Sequence, residues 1–254
     1  VGQLVHLKKP KWFARWLKYK LIESLKLDVQ EAEHEVDHYP SFGAFFSRRL
    51  KNGARPIASD GFVSPCDGRL QSFETITSDL LLQSKGIHYS LKNLLGDSGA
   101  EKKYQGGMAI TIYLAPHNYH RVHTPENMNI QRTKKISGDL WPVNRSSVEK
   151  IHPLFCLNER WIAEADVGGL GRMSLVMVGA TNVGKMEVFH LTQEQNQSID
   201  LDIEHPEKVI LQKGQEFGVF HMGSTVILIL DRNLSEHYKM KPSGRDLLCG
   251  EKLT

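Results

Sequence analysis

Between residues 11 and 27 apolar side chains recur every fourth position. Phe13, Leu17, Leu21 and Leu25 form the stripe, and Trp12 and Trp16 widen it at the same spacing. That period predicts an amphipathic α-helix over 11–27, with Lys11, Arg15, Lys18 and Lys26 on the opposite arc. An acidic stretch follows (Asp28, Glu31, Glu33, Glu35, Asp37), then Tyr39-Pro40-Ser41, where Ser41 is placed to cap a short helix containing Phe42, Phe45 and Phe46. Arg48, Arg49, Lys51 and Arg55 come next and are expected to be solvated or to face phosphates. Pro56 closes this preamble.

Beyond residue 57 the pattern shortens to apolar and alternating runs bounded by Gly, Pro and Asn. These predict strands at 61–64, 69–76, 107–114, 120–124, 130–136, 160–166, 172–179, 183–190 and 225–230. Segments 88–95 and 145–155 read as short helices. Gly168-Gly169-Leu170-Gly171 reads as a hairpin turn, since it has neither the spacing nor the following helix of a nucleotide loop. The expected class is α+β: a predominantly antiparallel β core with an N-terminal amphipathic helical arm. The chain divides into an N-terminal helical region, 1–50, and a β-rich domain, 51–254.

Length and charge sharpen this picture. A chain of 254 residues and 28.8 kDa is one large domain, or one domain with an appendage. Its net charge of +3 looks too mild for an anionic partner. However, residues 1–26 hold Lys8, Lys9, Lys11, Arg15, Lys18, Lys20 and Lys26 against Glu23 alone. That head is +6, which leaves −3 on the remainder. The helix therefore has two readings, a surface helix packed on the core or an interfacial helix with lysines on anionic lipid. Two Trp, a Phe and Tyr19 so close together favour the second. No apolar run is long enough to cross a bilayer. Cys66, Cys156 and Cys249 are odd in number and widely spaced, which excludes a disulfide framework and a cysteine zinc knuckle and predicts buried, reduced thiols.

Three segments carry candidate chemistry. Ser64-Pro65-Cys66-Asp67-Gly68 is an Asp-Gly turn after a strand. The stretch from Ala115 to Pro125 presents His117, His120 and His123, but alternate strand positions cannot converge on one ion, so no metal site is expected. Gly223-Ser224 opens the apolar run Val226–Leu230. Glycine before serine permits a strained backbone in which the hydroxyl approaches the preceding carbonyl carbon. Asp67, a histidine near 120–123 and Ser224 are the members of an Asp–His–Ser relay. No GxSxG surrounds Ser224, which disfavours an ordinary α/β-hydrolase.

SPCDG (64–68), YLAPHNYHRVHTP (113–125), GDLWPVN (138–144), Asn158-Glu159-Arg160, VGATNVG (178–184) and FHMGSTV (220–226) occur in this order. With Phe45-Phe46-x-Arg48-x-Leu50 and Lys85-Gly86-x-x-Tyr89-Ser90-Leu91, the set resembles the phosphatidylserine decarboxylase family from about residue 10 to the end. The resemblance implies a lyase made as a zymogen that cuts itself between Gly223 and Ser224 into a β chain, 1–223, and an α chain, 224–254. Asp67 would orient His123, and His123 would deprotonate Ser224. The resulting ester would be eliminated and hydrolysed to an N-terminal pyruvoyl group with loss of ammonia. That covalent cofactor, with no metal and no pyridoxal phosphate, would form a Schiff base with phosphatidylserine and release CO₂ and phosphatidylethanolamine. His120 would serve decarboxylation as proton donor or positioning group, and His117 has no assigned role.

The amphipathic head then gains a purpose. Trp12, Phe13, Trp16 and Leu17 would sink into an anionic membrane surface, making the enzyme peripheral, on the cytoplasmic face of a bacterial inner membrane or on a mitochondrial inner membrane. Family members are often dimers, which leaves a homodimer open, and no nucleic-acid partner is expected. The rival readings are an Asp–His–Ser serine hydrolase and a non-enzymatic membrane-binding module.

Overall fold

The computed structural model describes residues 4–84, 86–181, 185–221, 223–239 and 246–254. Helix α1 spans Lys11–Leu25 and helix α2 spans Phe42–Phe46, the latter capped by Ser41, whose Oγ accepts from the Ala44 N–H at 3.3 Å. The strands are β1 (Gly68–Thr75), β2 (Leu80–Ser84), β3 (Ile87–Ser90), β4 (Met108–Leu114), β5 (Arg121–His123), β6 (Met128–Ile136), β7 (Arg160–Val167), β8 (Gly171–Val178), β9 (Met186–Val188), β10 (Leu201–Leu211), β11 (Glu216–Phe220), β12 (Ser224–Leu230) and β13 (Asp246–Leu247). Eight of them form one sheet in the order β10-β6-β7-β8-β12-β4-β1-β13, and every pairing in it is antiparallel. A second sheet, β5-β11-β9, and the hairpin β2-β3 complete the α+β architecture.

Strand β12 is the spine of the large sheet. All seven of its side chains are buried, as the unbroken apolar run Val226–Leu230 requires of a strand covered on both faces. It pairs with β4 along one side and β8 along the other. The turn between β7 and β8 is the hairpin expected at Gly168-Gly169, and both glycines adopt positive φ, 57° and 74°.

The strand pattern was legible wherever alternation or apolar density was strong, and less so elsewhere. Strand β10 was not anticipated because its burial alternates weakly and Pro206 interrupts it beside a register shift. Segment 88–95 is divided, with β3 up to Ser90 and a helix over Leu91–Leu95. Segment 145–155 holds two four-residue helices, Arg145–Val148 and Leu154–Leu157. Around 61–64 only an isolated bridge forms, Val63 to Lys252. Residues 182–184, at the start of the expected 183–190 strand and within VGATNVG, lie outside the described residues, as do Lys85 and Met222.

The largest difference concerns the arm. It has its own small core of Val5, Ile22, Leu27, Ala32, Tyr39, Phe42, Phe45 and Phe46. The face of α1 turned inward carries Ala14, Lys18 and Ile22, not the Trp12–Trp16 stripe. Lys18, expected on the solvated basic arc, is buried because its Nζ donates to Val36 O and Tyr39 O, each at 2.7 Å, tying α1 to the turn that precedes α2. Burial lowers its pKa, against the pull of Asp37. Trp12 and Trp16 are 73% and 54% exposed.

Replacing Lys18 with Ala strands two buried carbonyls and is expected to lower stability by about 1–3 kcal/mol. Lys20→Ala on the exposed side should stay within about 0.5 kcal/mol. Urea unfolding followed by tryptophan fluorescence measures both.

Candidate active site

Strand register brings the Asp-Gly turn and the Gly-Ser step to one end of the sheet. Arg69 pairs with Tyr113, and Ser224 pairs with Leu114. Asp67 immediately precedes β1 and Gly223 immediately precedes β12, and both strands pair with β4, so the turn and the Gly-Ser step open at the same end of the sheet. Gly68 permits this: a Cβ there would sit 2.6 Å from Tyr113 O. The small sheet delivers the histidines to the same end. His123 N–H donates to Pro65 O at 2.7 Å, and Phe220 N–H donates to His120 O at 3.0 Å.

Ser224 is fully buried, and its Oγ has no hydrogen-bond partner. A Cβ added to Gly223 would meet nothing within 4 Å, so there is open space beside the Gly223–Ser224 bond. An unpaired buried hydroxyl next to open space is an unfavourable resting arrangement unless the hydroxyl has work to do.

His123 is fixed as one tautomer. Its Nδ1 lies 2.8 Å from Gly214 O, which can only accept, so Nδ1 carries the proton. Nε2 keeps its lone pair and accepts from the Tyr119 hydroxyl at 3.1 Å. Burial lowers the His123 pKa, opposed by the Gly214 bond and the carboxylate of Glu216. The result is a neutral imidazole with its basic nitrogen pointed at a phenol.

Asp67 does not make the expected hydrogen bond to this imidazole. Both its oxygens are taken by Arg55, whose Nε donates to Oδ1 at 2.8 Å and Nη2 to Oδ2 at 2.6 Å, and Oδ1 also accepts from Cys249 N–H at 2.9 Å. The far edge of the same guanidinium makes a second fork to Glu31. Hydrogen bonding to Asp67, then to Glu31, raises the Arg55 pKa in spite of burial. Asp67 reaches His123 only through space, as a small pull towards the protonated form.

His120 is buried against the Phe46 ring, with centroids 4.1 Å apart. Its Nδ1 donates to Asn118 O at 2.8 Å, which leaves Nε2 as a buried acceptor without a partner. Burial drives its pKa down to about 3, with Arg48 and His117 adding to the effect. His117 is exposed in the turn before it. No group of three or more His, Cys, Asp or Glu is arranged for a metal among the described residues. Cys66 and Cys249 are buried free thiols whose pKa values burial pushes up.

Arg55, Tyr119 and the Gly214 carbonyl were not identified from sequence. Arg55 stands among basic residues expected to be solvated or to face phosphates, Tyr119 lies inside the histidine motif without a distinguishing mark, and a main-chain carbonyl leaves no signal in side-chain identity.

These features define a class: an α+β protein whose Gly-Ser step, Asp-Gly turn and histidine segment gather at one end of an antiparallel sheet. The family model for phosphatidylserine decarboxylase matches residues 42–254. The phosphatidylserine decarboxylase proenzyme of Brevibacillus brevis is 39% identical over 248 residues, covering 95% of this chain and 88% of that protein. Those of Myxococcus xanthus and Methylobacillus flagellatus are 40% and 35% identical, covering 82% and 90% of this chain and 75% and 82% of theirs. The chain belongs to the phosphatidylserine decarboxylase family. It is accordingly a carboxy-lyase of the pyruvoyl-dependent, proenzyme-derived kind.

A buried neutral imidazole has a consequence for stability. As pH falls below the ordinary histidine value of about 6.5, the unfolded chain takes up a proton that folded His120 refuses until about pH 3. Folding stability should therefore fall through that window and show no contribution from His120 above it. In a single-chain Ser224→Ala background, urea midpoints at about pH 7 and about pH 4.5 should diverge, and adding His120→Gln should shrink the difference.

Proposed function

We propose that the chain is the precursor of a phosphatidylserine decarboxylase that cuts its own Gly223–Ser224 bond, and that its mature site works at an anionic membrane surface. The observation that carries this reading is the buried, unpartnered Oγ of Ser224 immediately after a glycine with open space beside it. The same burial argues against a serine hydrolase, because a nucleophile sealed from solvent meets its own preceding carbonyl more readily than an external ester.

In the cutting step, Ser224 Oγ forms a bond to the Gly223 carbonyl carbon and the C–N bond breaks. The Oγ proton passes to His123 Nε2 and from there to the departing nitrogen of Ser224. Tyr119 must first yield that lone pair, so its hydroxyl gates the base. Elimination of the ester and uptake of one water then release the Gly223 carboxylate and one ammonia. Asp67, hydrogen-bonded by Arg55 and the Cys249 N–H, supplies negative charge to the imidazolium that forms. The two products stay together because residues 224–254 contribute two separate strands, β12 and β13, to the large sheet.

Ser224 and the space at Gly223 fit a serine-derived pyruvoyl group. When present, that group supplies the electron sink on which the substrate carboxylate leaves as CO₂. His120 enters as a neutral base: its Nε2 lone pair can take a proton from the incoming serine ammonium and return one to carbon.

For the arm, we assign membrane contact to the exposed side of α1. Trp12 and Trp16 project there, with Phe13 stacked on Trp16 at 5.7 Å. Leu17 is half-buried at the margin of this patch. Lys8, Lys9, Lys11 and Arg15 line an adjacent cleft and suit anionic head groups. On this reading residues 1–50 are the docking region and 51–254 the catalytic part, and the cytoplasmic face of a bacterial inner membrane is the expected site of action.

Mass spectrometry of the purified protein should show two chains divided after Gly223, the smaller with a blocked N terminus. Ser224→Ala should run as one inactive 28.8 kDa chain, and a fully active Ser224→Ala protein would refute the assignment. His123→Ala should slow cutting by about 10²–10⁴-fold, whereas His120→Ala should cut and lose decarboxylation by a similar factor. Trp12→Ser with Trp16→Ser should reduce flotation with phosphatidylserine vesicles by about tenfold and leave cutting unaltered. Unchanged flotation would reject the docking face.

A further inference from the structure

Two buried donors in the N-terminal arm lack the partners that burial demands. The Arg48 guanidinium is 3% exposed, yet its Nε and Nη1 have no hydrogen-bond partner, and Nη2 makes one long contact to Asp28 O at 3.4 Å. The Tyr39 hydroxyl is likewise buried and unpaired. Both belong to one neighbourhood. The Phe45 ring lies 4.8 Å from the Arg48 guanidinium carbon and 5.3 Å from the Tyr39 ring, and Phe46 stacks on His120. Arg48 acts electrostatically on His120. Arg121 holds the segment in place, its Nε donating to Ser47 O at 3.1 Å and Arg48 O at 3.3 Å while Nη1 binds Glu216 at 2.7 Å.

The nearby carboxylates do not satisfy this guanidinium. Glu31 and Asp67 are both forked to Arg55, and Asp28 Oδ1 takes the Gln30 N–H at 2.7 Å. Burial lowers the Arg48 pKa more than Tyr39, Glu31, Asp28 and Asp67 raise it. A desolvated guanidinium with free N–H groups is strongly disfavoured unless an anion completes it.

We propose that Arg48 and Tyr39 form a buried subsite for the phosphodiester of the lipid head group, a proposal that rests on the decarboxylase function given above. The head group offers two anions, and the chemistry selects between them. A guanidinium clamped on the carboxylate would stabilise the charge that must be lost as CO₂, and so oppose the reaction. The phosphodiester keeps its charge from substrate to product, so binding it orients the lipid without opposing the chemistry. The planar fork of arginine also matches phosphate oxygens in pairs. His120 Nε2 is an acceptor, which repels an anion and suits the serine ammonium. Donors at Arg48 and Tyr39 and an acceptor at His120 thus match the two polar groups of the head group, phosphodiester and amine, in kind. The arm that carries the exposed Trp12 and Trp16 thereby also supplies groups that read the lipid.

The test uses the self-cut enzyme and two soluble probes. Dihexanoyl phosphatidylethanol carries the phosphodiester without amine or carboxylate, and O-hexanoylserine carries amine and carboxylate without phosphate. By calorimetry, Arg48→Met should weaken the phosphodiester probe by about tenfold or more and Tyr39→Phe by about threefold, with O-hexanoylserine unaffected and Arg48→Lys restoring part of the loss. Unchanged binding of the phosphodiester probe in a self-cut Arg48→Met protein would overturn the proposal, and so would equal loss of both probes. If Arg48→Met fails to cut, Arg48→Lys and Tyr39→Phe decide by the same comparison. A wild-type protein that cuts but does not decarboxylate phosphatidylserine overturns the underlying function instead, whatever the probes show.

Discussion

The complete burial of β12 between β4 and β8 is the constraint on which the rest of the molecule hangs. A strand with seven buried residues cannot slip by one position without exposing or clashing its side chains on both faces. Its first residue is therefore held at one level of the sheet, and that residue is Ser224. The neighbouring strand carries Leu114 to the same level, and β1 beyond it begins at this end of the sheet, directly after Asp67. The proposed cut falls just outside the buried run, where the chain can break without removing a single ladder partner from β12. On the proposed cut, the inaccessibility of Ser224 to solvent and the retention of residues 224–254 would have one cause.

Around this frame the charges are arranged by a small number of forks. Arg55 joins Glu31 from the arm to Asp67 from the Asp-Gly turn, so both oxygens of the Asp67 carboxylate are occupied. His123 takes its orientation from the Gly214 carbonyl and Tyr119 instead of from Asp67. That division separates two duties that a Ser–His–Asp relay usually combines, holding the imidazole and balancing its charge. Arg48 stands a few residues away from these pairs in sequence but outside all of them in bonding, and its incompleteness is what singles it out.

The arm shows how a helical period can identify a helix and misassign its faces. The i+4 recurrence of Phe13, Leu17, Leu21 and Leu25 predicted α1 to within two residues at its end. Choosing the inward face needed knowledge of what the helix packs on. Lys18 lies inward because two main-chain carbonyls await its ammonium, and the carbonyls of Val36 and Tyr39 have no signature in the residue alphabet. The aromatic stripe, freed from packing, remains on the surface, where its apolar area is available to lipid.

The sequence by itself determined the α+β class, most of the strands, the order of the motifs and hence the family. These follow from local periodicity and from residue types at set spacings, which act over a few positions. Only the tertiary structure decided which groups meet. The masking of His123 Nε2 by Tyr119, the double fork of Arg55 and the unpaired state of Arg48 and Tyr39 depend on contacts between segments distant along the chain. Hydrogen-bond satisfaction is a property of the packed interior, where water is gone and each donor must find its acceptor among whatever the fold has placed nearby.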